Sequence, residues 1–273
     1  MPELPDLEII REILTPELTG QTITAVQVVR PLIVRDLTLQ GFDALTGQTF
    51  ADVQRRGKIL LFPLQSGLTI AVNCKLAGRL QYALPAERRL NKTHVVLRLS
   101  NGRDLRYSDR RTMGQIYLTA NLASIPGWTE MGPEPFDLTQ KGFLERLKPY
   151  RGEIKGVLTR GRVVAGIGNA YSDEICFAAR LHPFRKRTSL SNEESIRLYQ
   201  AMQTVLRDAI ATLRERVGTQ IHREIRDFLT VHGKSGDTCP ACGNVIACIV
   251  AYRVIRSVCI EQEIGPEVPV AGA

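Results

Sequence analysis

Pro2 and Glu3 place a potential nucleophile beside a potential general acid at the start of the chain. When the initiator methionine is removed, Pro2 exposes a secondary amine, and α-amino groups titrate near about pH 8, far below a lysine side chain. A neutral fraction is then present at physiological pH, and it can attack an aldehyde-like carbon to form an iminium, as Schiff-base lysines do. Glu3 is the neighbouring proton donor for such a step. The alternative is purely structural, because Pro2 and Pro5 would also stiffen the start of a helix.

A second set of reactive side chains lies near the other end of the chain. Four of the six cysteines fall within 21 residues: Cys239, Cys242, Cys248 and Cys259. Thiolates at C-x2-C spacing are typical zinc ligands. The first residues are acidic where a secretory signal is basic, and they contain no clean apolar stretch, so we expect a cytoplasmic protein. In that reducing compartment thiols stay free or bind metal.

The composition excludes several classes of protein. With 44% hydrophobic and 23% charged residues in 273, the chain is neither disordered nor short of core. No apolar run approaches the roughly 18–20 residues that a membrane span needs. The net charge of +8 is concentrated, since residues 75–116 hold ten Lys and Arg against three acidic residues. Residues 151–187 hold eight against three. These two stretches favour a polyanionic partner, although a solvated basic surface would have the same composition.

Hydrophobic periodicity predicts the elements that must position these groups. Leu4, Leu7, Ile10 and Leu14 recur at helical spacing and predict a helix over residues 5–17. Short, alternating, β-branched segments follow, and Asn101-Gly102 between two of them is a hairpin signal. They predict an antiparallel sandwich or barrel of about 130 residues. The predicted strands are residues 21–29, 50–56, 59–63, 68–73, 93–100 and 105–107.

The prolines of residues 131–135 break both periodicities and predict a domain boundary. A helical pattern then runs over residues 153–217, where Ser191 and Glu194 form a capping box ahead of an apolar stripe. The fold class is therefore α+β. The predicted segments are a β-sandwich catalytic domain at 1–130, a linker with a short helix at 131–150, a helical domain at 151–230, a zinc-finger-like hairpin at 231–262 and a tail at 263–273.

Six sequence blocks in this order carry a resemblance to a known family. They are MPELPDLE at the terminus, RRGKILLF at 55–62, LRYSDRR at 105–111, MGPEPF at 131–136, VVAGIGNAYSDEICFAARLHP at 163–183 and CPACG at 239–243. This string resembles the formamidopyrimidine-DNA glycosylase / endonuclease VIII family from residue 1 to about residue 260. The resemblance implies a helix–two-turns–helix motif in the helical domain and a monomer.

The resemblance also implies a chemistry for the terminus. Pro2 would attack C1′ of the damaged nucleoside, Glu3 would protonate the opening sugar, and Lys58 would contact the lesion and assist elimination. The implied activity is that of a bifunctional DNA glycosylase and AP lyase of base excision repair, which nicks the strand by β- and possibly δ-elimination. Its partner would be double-stranded DNA that contains damaged bases or abasic sites, in the bacterial nucleoid.

Several residues match the family's DNA contacts. Enzymes that act on a base swing it out of the duplex, and side chains fill the space that it leaves. The matching positions here are Leu76, Arg111 and Met113, where apolar Leu and Met replace the commoner Met and Phe. The preferred opposite base therefore stays open. Asn169 lies in the GIGN turn, where glycines and helix amides favour a phosphate. Lys92 and Arg151 are further expected backbone contacts, and His94 could equally be structural.

The C-terminal finger departs from the family pattern C-x2-C-x16-C-x2-C. Cys239, Cys242 and Cys259 match, but the fourth position is Gln262, which is not a credible zinc ligand. Cys248 could complete one structural zinc site, or His232 or water could. Alternatively, the hairpin packs without metal. The family arginine that grips phosphates falls strictly on Val254, so a shifted turn would supply Arg253, and strand alternation would supply Arg256.

The segment 217–231 is short where members specific for 8-oxoguanine carry a long lid. The expected substrates are therefore formamidopyrimidines, oxidised pyrimidines and abasic sites rather than strictly 8-oxoguanine. Two rival functions remain. A non-catalytic relative would bind damaged DNA without turnover, and a zinc-ribbon protein-interaction module would explain only the last part of the chain.

Overall fold

The computed structural model describes residues 1–251 and 254–259, with side chains described as far as residue 247. The chain divides into two compact units. The first comprises Met1–Glu134 and Arg207–Ile225, and the second comprises Pro135–Leu206 and Arg226–Ala273. The α+β prediction is confirmed, with a β-sandwich and a terminal helix in the first unit and helices in the second. Within the described residues, no helix is both long and apolar enough to cross a bilayer.

Helix α1, Leu4–Leu18, opens the first unit. The predicted apolar spacing gives it one buried face, formed by Leu4, Leu7, Ile10 and Leu14, which are at most 6% exposed. Pro5 lies in the first turn, where its missing N–H costs no helical hydrogen bond. The helix follows directly on Pro2 and Glu3, so packing of this face fixes the position of the terminus.

Two sheets form the sandwich behind α1. The four-stranded sheet has the order β1-β7-β8-β6 and is antiparallel throughout. The five-stranded sheet has the order β2-β9-β5-β4-β3, and in it β2 pairs parallel with β9. The strands are β1 Ile23–Val28, β2 Val34–Asp36, β3 Gln54–Arg56, β4 Ile59–Pro63, β5 Thr69–Asn73, β6 Gly78–Ala83, β7 Thr93–Leu99, β8 Asp104–Asp109 and β9 Gln115–Thr119.

All six predicted strands are present, although the segment at 50–56 is a strand only from Gln54. The hairpin at Asn101-Gly102 is confirmed, with Gly102 at a φ of +80° and Leu99 N–H donating to Arg103 O at 2.9 Å. Strands β2, β6 and β9 were not predicted. Each is short or lacks strict alternation: β9 buries four consecutive residues and therefore shows no period of two.

The second unit contains α2 Gln140–Leu147, α3 Ile154–Thr159, α4 Asn169–Ala178 and the first part of α5 Asn192–Arg216. The Ser191 capping box is confirmed, since Glu194 N–H donates to Ser191 Oγ at 3.1 Å and Ser191 N–H donates to Glu194 Oε2 at 2.8 Å. The helical pattern is interrupted at 160–168 and 179–191. Strands β10 Ile246–Ala251 and β11 Val254–Cys259 form an antiparallel hairpin.

The junction between the units falls inside the predicted proline-rich segment, between Glu134 and Pro135. Residues 207–225 group with the first unit rather than with the helical segment. Ile221 explains this grouping, because it is 2% exposed within the core of the sandwich unit. The other predicted segment boundaries stay predictions.

Candidate active site

The chain start is held in place at the N-terminus of α1. Pro2 is buried and Glu3 is 1% exposed. Glu3 is the N-cap residue, and its backbone N–H donates to Asp6 Oδ2 at 2.8 Å. The amine of Met1 donates to Glu224 Oε1 at 2.9 Å. Removal of Met1 breaks this last contact, so the Glu3 cap and the burial of both residues must hold the Pro2 amine.

Lys58 lies on the two-residue turn between β3 and β4, where Arg56 pairs with Ile59. Gly57 occupies the first turn position with a φ of +56°, which an L side chain rarely adopts and which a type II′ hairpin turn requires. Glu134 fixes this turn, because its Oε1 accepts the Gly57 N–H at 2.6 Å and pairs with Arg56 Nη1 at 2.9 Å. The turn therefore presents Lys58 in one position.

Arg55 connects the Lys58 turn to α1. Its Nε donates to Glu8 Oε2 at 2.7 Å, and its Nη1 pairs with Glu134 Oε2 at 2.6 Å. The Arg55 side chain is 7% exposed, so these ion pairs are poorly screened. Burial raises the pKa of Glu8, but the hydrogen bonds from Arg11 and Arg55 outweigh it and hold the pKa below its usual value. The ion pairs of Arg55 thus connect the helix that carries the terminus to the turn that carries Lys58.

The electrostatics of Lys58 are those of an enclosed cation beside a carboxylate. Burial lowers the pKa of Lys58, the Glu3 carboxylate raises it, and the Lys75 ammonium lowers it, with a net shift below the ordinary value. A lysine with a lowered pKa has a larger neutral fraction near pH 7 and can accept a proton. The charges of Glu3, Lys58 and Lys75 therefore interact in the structure, although the three residues are far apart in the sequence.

Cys74 is a second potential nucleophile near the terminus, since it lines a small cavity with Pro2, Arg79 and Glu224. It is 1% exposed, and burial raises its pKa to about 12. A thiolate, not a thiol, is the reactive form, so Cys74 is inert at neutral pH. Pro2 therefore stays the predicted nucleophile of this cavity.

Two loops of the first unit carry the predicted wedge residues. Leu76 lies on the 73–78 loop and is 39% exposed, and Met113 lies on the 109–114 loop and is 49% exposed. Arg111 is exposed on the second loop. Lys75 and Thr112, each next to a wedge residue, have φ values of +46° and +56°. Non-glycine residues in this left-handed region are uncommon, and they concentrate at functional sites.

Asp109 holds the 109–114 loop in this conformation. Its carboxylate is fully buried and accepts three backbone N–H groups, from Arg111 at 2.9 Å, Met113 at 2.8 Å and Gly114 at 2.7 Å. Hydrogen bonds to a buried carboxylate are stronger than those between neutral groups. Asp109 therefore fixes the loop that presents Arg111 and Met113.

Lys92 and His94 both contact this same loop region. Lys92 Nζ donates to Arg110 O at 2.8 Å, although the side chain is exposed, so Lys92 buttresses the loop and its DNA contact stays a prediction. His94 is 1% exposed, with Nδ1 3.3 Å from Arg30 O and Nε2 3.1 Å from Asp109 O. Of the two roles left open for His94, the structural one agrees with this burial.

Asn169 is the first residue of α4 in the second unit, after N-cap Gly168. Its Oδ1 is buried and has no hydrogen-bond partner among the residues that the structure describes. Gly166 in the preceding turn has a φ of +87°. The amides of a helix N-terminus favour an anion, so this terminus has the properties expected of a phosphate site. Arg151 is exposed in the same unit, ahead of α3.

Buried carboxylates anchor α4. Glu174 accepts three backbone N–H groups, from Thr230 at 2.8 Å, Val231 at 2.9 Å and His232 at 2.8 Å. Asp173 bonds Lys155 Nζ through Oδ1, and its Oδ2 lies 2.8 Å from His232 Nδ1. His232 was one alternative for a fourth zinc ligand. Its Nδ1 pairs with Asp173, which leaves Nε2 as the candidate metal-binding atom, so this alternative stays a prediction.

The finger cysteines are described only in part. Cys239 is 1% exposed and Cys242 half-buried, on a turn closed by Cys239 N–H to Asn244 O at 2.7 Å and Gly243 N–H to Cys239 O at 2.9 Å. In the hairpin backbone, Cys259 lies opposite Ile246 and Cys248 lies opposite Ser257. The side chains of Cys248, Arg256 and Cys259 lie outside the described part of the chain, as do Arg253 and Gln262 entirely. Two thiols on one closed turn fit half of a tetrahedral zinc site.

Sequence reasoning missed the residues that hold the site rather than form it. Asp109 had a signal in the sequence, since the side chain of an Asp in a turn commonly accepts the backbone N–H of the residue two positions later, which forms an Asx turn. Glu134 and Arg55 lie in blocks that served only as family markers. Neither has a local signal, because their partners are 47 to 78 residues away along the chain.

Comparison with known protein families identifies both units. The family described as Formamidopyrimidine-DNA glycosylase N-terminal domain matches residues 1–116, and the Formamidopyrimidine-DNA glycosylase H2TH domain matches residues 131–222. The chain therefore belongs to the formamidopyrimidine-DNA glycosylase family.

Individual relatives agree with this assignment. The formamidopyrimidine-DNA glycosylase of Pelotomaculum thermopropionicum is 37% identical over 257 residues, which cover 90% of this chain and 93% of that protein. The one from Moorella thermoacetica is 38% identical over 253 residues, 89% of this chain and 92% of that protein. The Lactococcus lactis Fpg in complex with an abasic site containing DNA is 27% identical, with a TM-score of 0.85, over 95% of this chain and 98% of that one. A mutant of the same protein in complex with a Fapy-dG containing DNA is 27% identical, with a TM-score of 0.86, over 97% of this chain and 100% of that one.

Proposed function

We propose that this protein is a bifunctional DNA glycosylase and AP lyase of base excision repair, with Pro2 as its nucleophile. The observation that carries the proposal is the enclosed chain start, where buried Pro2 and Glu3 lie at the helix terminus and the Glu3 carboxylate acts on Lys58. Family membership supports the glycosylase class. The relatives of known structure that bind abasic-site and Fapy-dG DNA support damaged duplex DNA as the partner.

The chemistry follows from the positions of three groups. The Pro2 nitrogen attacks C1′ of the damaged nucleoside, and the C1′–N bond breaks as the base leaves with the bonding electrons. The proton that the Pro2 nitrogen then loses passes to the departing base. Glu3 donates a proton to O4′, so the sugar ring opens and an iminium joins Pro2 to C1′. Loss of a C2′ proton then expels the 3′-phosphate, and loss of a C4′ proton expels the 5′-phosphate. Lys58, whose pKa is lowered and which interacts with the Glu3 carboxylate, is the proposed acceptor of these protons.

DNA binding and base extrusion use the two exposed loops. Leu76 and Met113 are apolar and exposed, as a wedge between bases requires, and Arg111 can bond the base left unpaired. Lys92, Arg151 and Asn169 are the proposed phosphate contacts. On the finger, Arg253 is proposed for the phosphates around the lesion, with Arg256 as the alternative.

Oxidised pyrimidines, formamidopyrimidines and abasic sites are the proposed substrates. The segment after α5 supports this choice, because it is packed rather than free to close over a large purine. Ile221 is buried in the core of the first unit, and Glu224 bonds Arg79. A dihydrouracil lesion should therefore be excised faster than 8-oxoguanine, in duplexes of otherwise identical sequence.

A structural zinc ion is proposed for the finger, held by Cys239, Cys242, Cys259 and Cys248. Zinc would stabilise the hairpin outright and take no part in the reaction. The two described thiols support this, since they share one closed turn. Elemental analysis of protein purified without chelator tests the proposal, and one zinc per chain is expected. Cys248→Ser should lower the zinc content, whereas unchanged content would exclude Cys248 as a ligand.

Borohydride trapping tests the enzyme proposal, because it reduces an iminium to a stable amine. Protein with a verified Pro2 terminus is incubated with duplexes that carry an abasic site, dihydrouracil or 8-oxoguanine. A covalent protein–DNA adduct is expected, and it should be strongly reduced in Pro2→Gly. Pro5→Ala is the matched control, since it alters a neighbouring proline without changing the amine. Absence of an adduct on every substrate would leave the non-catalytic DNA-binding relative as the better reading.

A further inference from the structure

The two loops that carry Leu76 and Met113 both end on glycines that pack against one phenol. A Cβ atom at Gly78 would lie 2.1 Å from Tyr107 Oη, and one at Gly114 would lie 1.8 Å from the same oxygen. Both distances are far below any real Cβ contact, so only glycine fits at either place. Gly78 closes the 73–78 loop by donating to Cys74 O at 2.9 Å, and Gly114 closes the 109–114 loop on Asp109. One side chain therefore sets the position of both loops.

The hydroxyl of Tyr107 is buried without a hydrogen bond that would explain its presence. Tyr107 is 3% exposed, and its Oη has no hydrogen-bond partner among the described residues. A buried hydroxyl without a partner destabilises the fold relative to phenylalanine, which fills the same space without a desolvated oxygen. An oxygen kept at such a cost needs a role, and the ends of both loops are placed against it.

We propose that Tyr107 is a positioning residue whose hydroxyl fixes the spacing of the two loops, so that Leu76 and Met113 enter the duplex as one unit. The proposal rests on the proposed function, since it assigns these loops to base extrusion. Asp109 supports the coupling, because it lies two residues after Tyr107 on β8 and holds the Met113 and Gly114 amides at 2.8 and 2.7 Å. Without the Tyr107 hydroxyl, each loop relaxes independently, and Leu76 and Met113 are no longer aligned with each other.

The two glycines allow a rescue test. At Gly114, the only contact under 3.0 Å for an added Cβ is Tyr107 Oη; the next are Tyr107 Cζ at 3.0 Å and Asp109 Oδ2 at 3.1 Å. Removing the oxygen should therefore make room for alanine. At Gly78, the backbone of Cys74 also intrudes, with O at 2.6 Å and Cα at 2.8 Å. Tyr107→Phe should accordingly rescue Gly114→Ala but not Gly78→Ala, which is the matched control.

The experiment compares two substrates for each variant. Excision of dihydrouracil from a duplex needs base extrusion, whereas cleavage of an abasic site in single-stranded DNA does not. Tyr107→Phe should fold with unchanged or raised thermal stability, lose about tenfold in duplex excision, and keep single-strand cleavage within about twofold. Gly114→Ala should lose more in duplex excision, and the double variant should return to the level of Tyr107→Phe.

Three outcomes would overturn the proposal. Duplex excision by Tyr107→Phe at the rate of the unaltered protein would remove the role of the hydroxyl. Equal losses on both substrates would indicate a general structural effect. Failure of Tyr107→Phe to rescue Gly114→Ala would contradict the spacer geometry. If the unaltered protein cleaved neither substrate, the proposed function itself would fail, and the role of Tyr107 in it would fail with it.

Discussion

The replacement of Asp109 by asparagine isolates the carboxylate that holds the Met113 loop. One carboxylate oxygen accepts the Arg111 N–H, and the other accepts those of Met113 and Gly114. An amide offers only one acceptor atom, so asparagine keeps two bonds by placing its oxygen towards Met113 and Gly114, and it faces Arg111 N–H with an NH2 group. One charge-assisted hydrogen bond is lost and the other two become neutral, so the free energy of unfolding falls by at least about 1.5–3 kcal/mol.

The functional effect should exceed what this loss of stability implies. Asp109→Asn should still fold, because this loss is smaller than the free energy of unfolding of a typical domain, about 5–15 kcal/mol. With Arg111 N–H released, the 109–114 loop should relax at the strained Thr112 position, where φ is +56°. Excision of dihydrouracil from duplex DNA should then fall about tenfold or more, since the wedge is misplaced.

The assay pairs urea unfolding with excision kinetics on duplex DNA. Asp36→Asn is the matched control, because Asp36 also accepts three donors within one loop, from Thr38 N at 2.8 Å, Thr38 Oγ1 at 2.6 Å and Gly41 N at 2.7 Å. It should lose stability with little change in excision. Excision by Asp109→Asn at the rate of the unaltered protein, in spite of the lost stability, would refute the reasoning.

The remaining predictions concern Lys58, its turn and the finger. Lysine side-chain NMR should show an ammonium whose pKa lies below the ordinary lysine value and whose signal disappears in Lys58→Arg. Glu3→Gln should lower that pKa further, since the Glu3 carboxylate raises it. An unchanged pKa in Glu3→Gln would contradict the assigned contact. Glu134→Gln keeps one acceptor for Gly57 N–H but loses the charge that pairs with Arg56, so elimination at abasic sites should slow about tenfold in a cleavage time course. Equal rates would show that the turn needs no such clamp. A chelator that removes the proposed zinc should unfold the finger and weaken duplex binding, and unchanged affinity would favour a hairpin that packs without metal.

The elements with strong local signals could be predicted from the sequence. Helix α1 follows from the spacing of Leu4, Leu7, Ile10 and Leu14, and the β7–β8 hairpin follows from Asn101-Gly102. Strand β6 could not be predicted in this way, because it starts at a glycine whose purpose is close packing against Tyr107, 29 residues further on. Strand β2 has only three residues and pairs parallel with a strand about 80 residues later.

The candidate site divides in the same manner. Pro2, Glu3 and Lys58 could be proposed because their chemistry is legible in the residue types and in the resemblance to a family. The groups that fix them could not, since Glu8, Arg55 and Glu134 act through ion pairs between distant parts of the chain. The same holds for Tyr107. Its proposed role depends on the absence of side chains at Gly78 and Gly114, which lets both loops pack against its hydroxyl.

Peptide mapping of the borohydride-trapped adduct tests the central claim most directly. The trapped complex with abasic-site DNA is digested with protease and nuclease, and mass spectrometry locates the residue that carries the sugar remnant. The account predicts a single modified site at the amine of Pro2, in the peptide that begins PELPDLE. A remnant on the side chain of Lys58, or on any other lysine, with Pro2 unmodified, would contradict it.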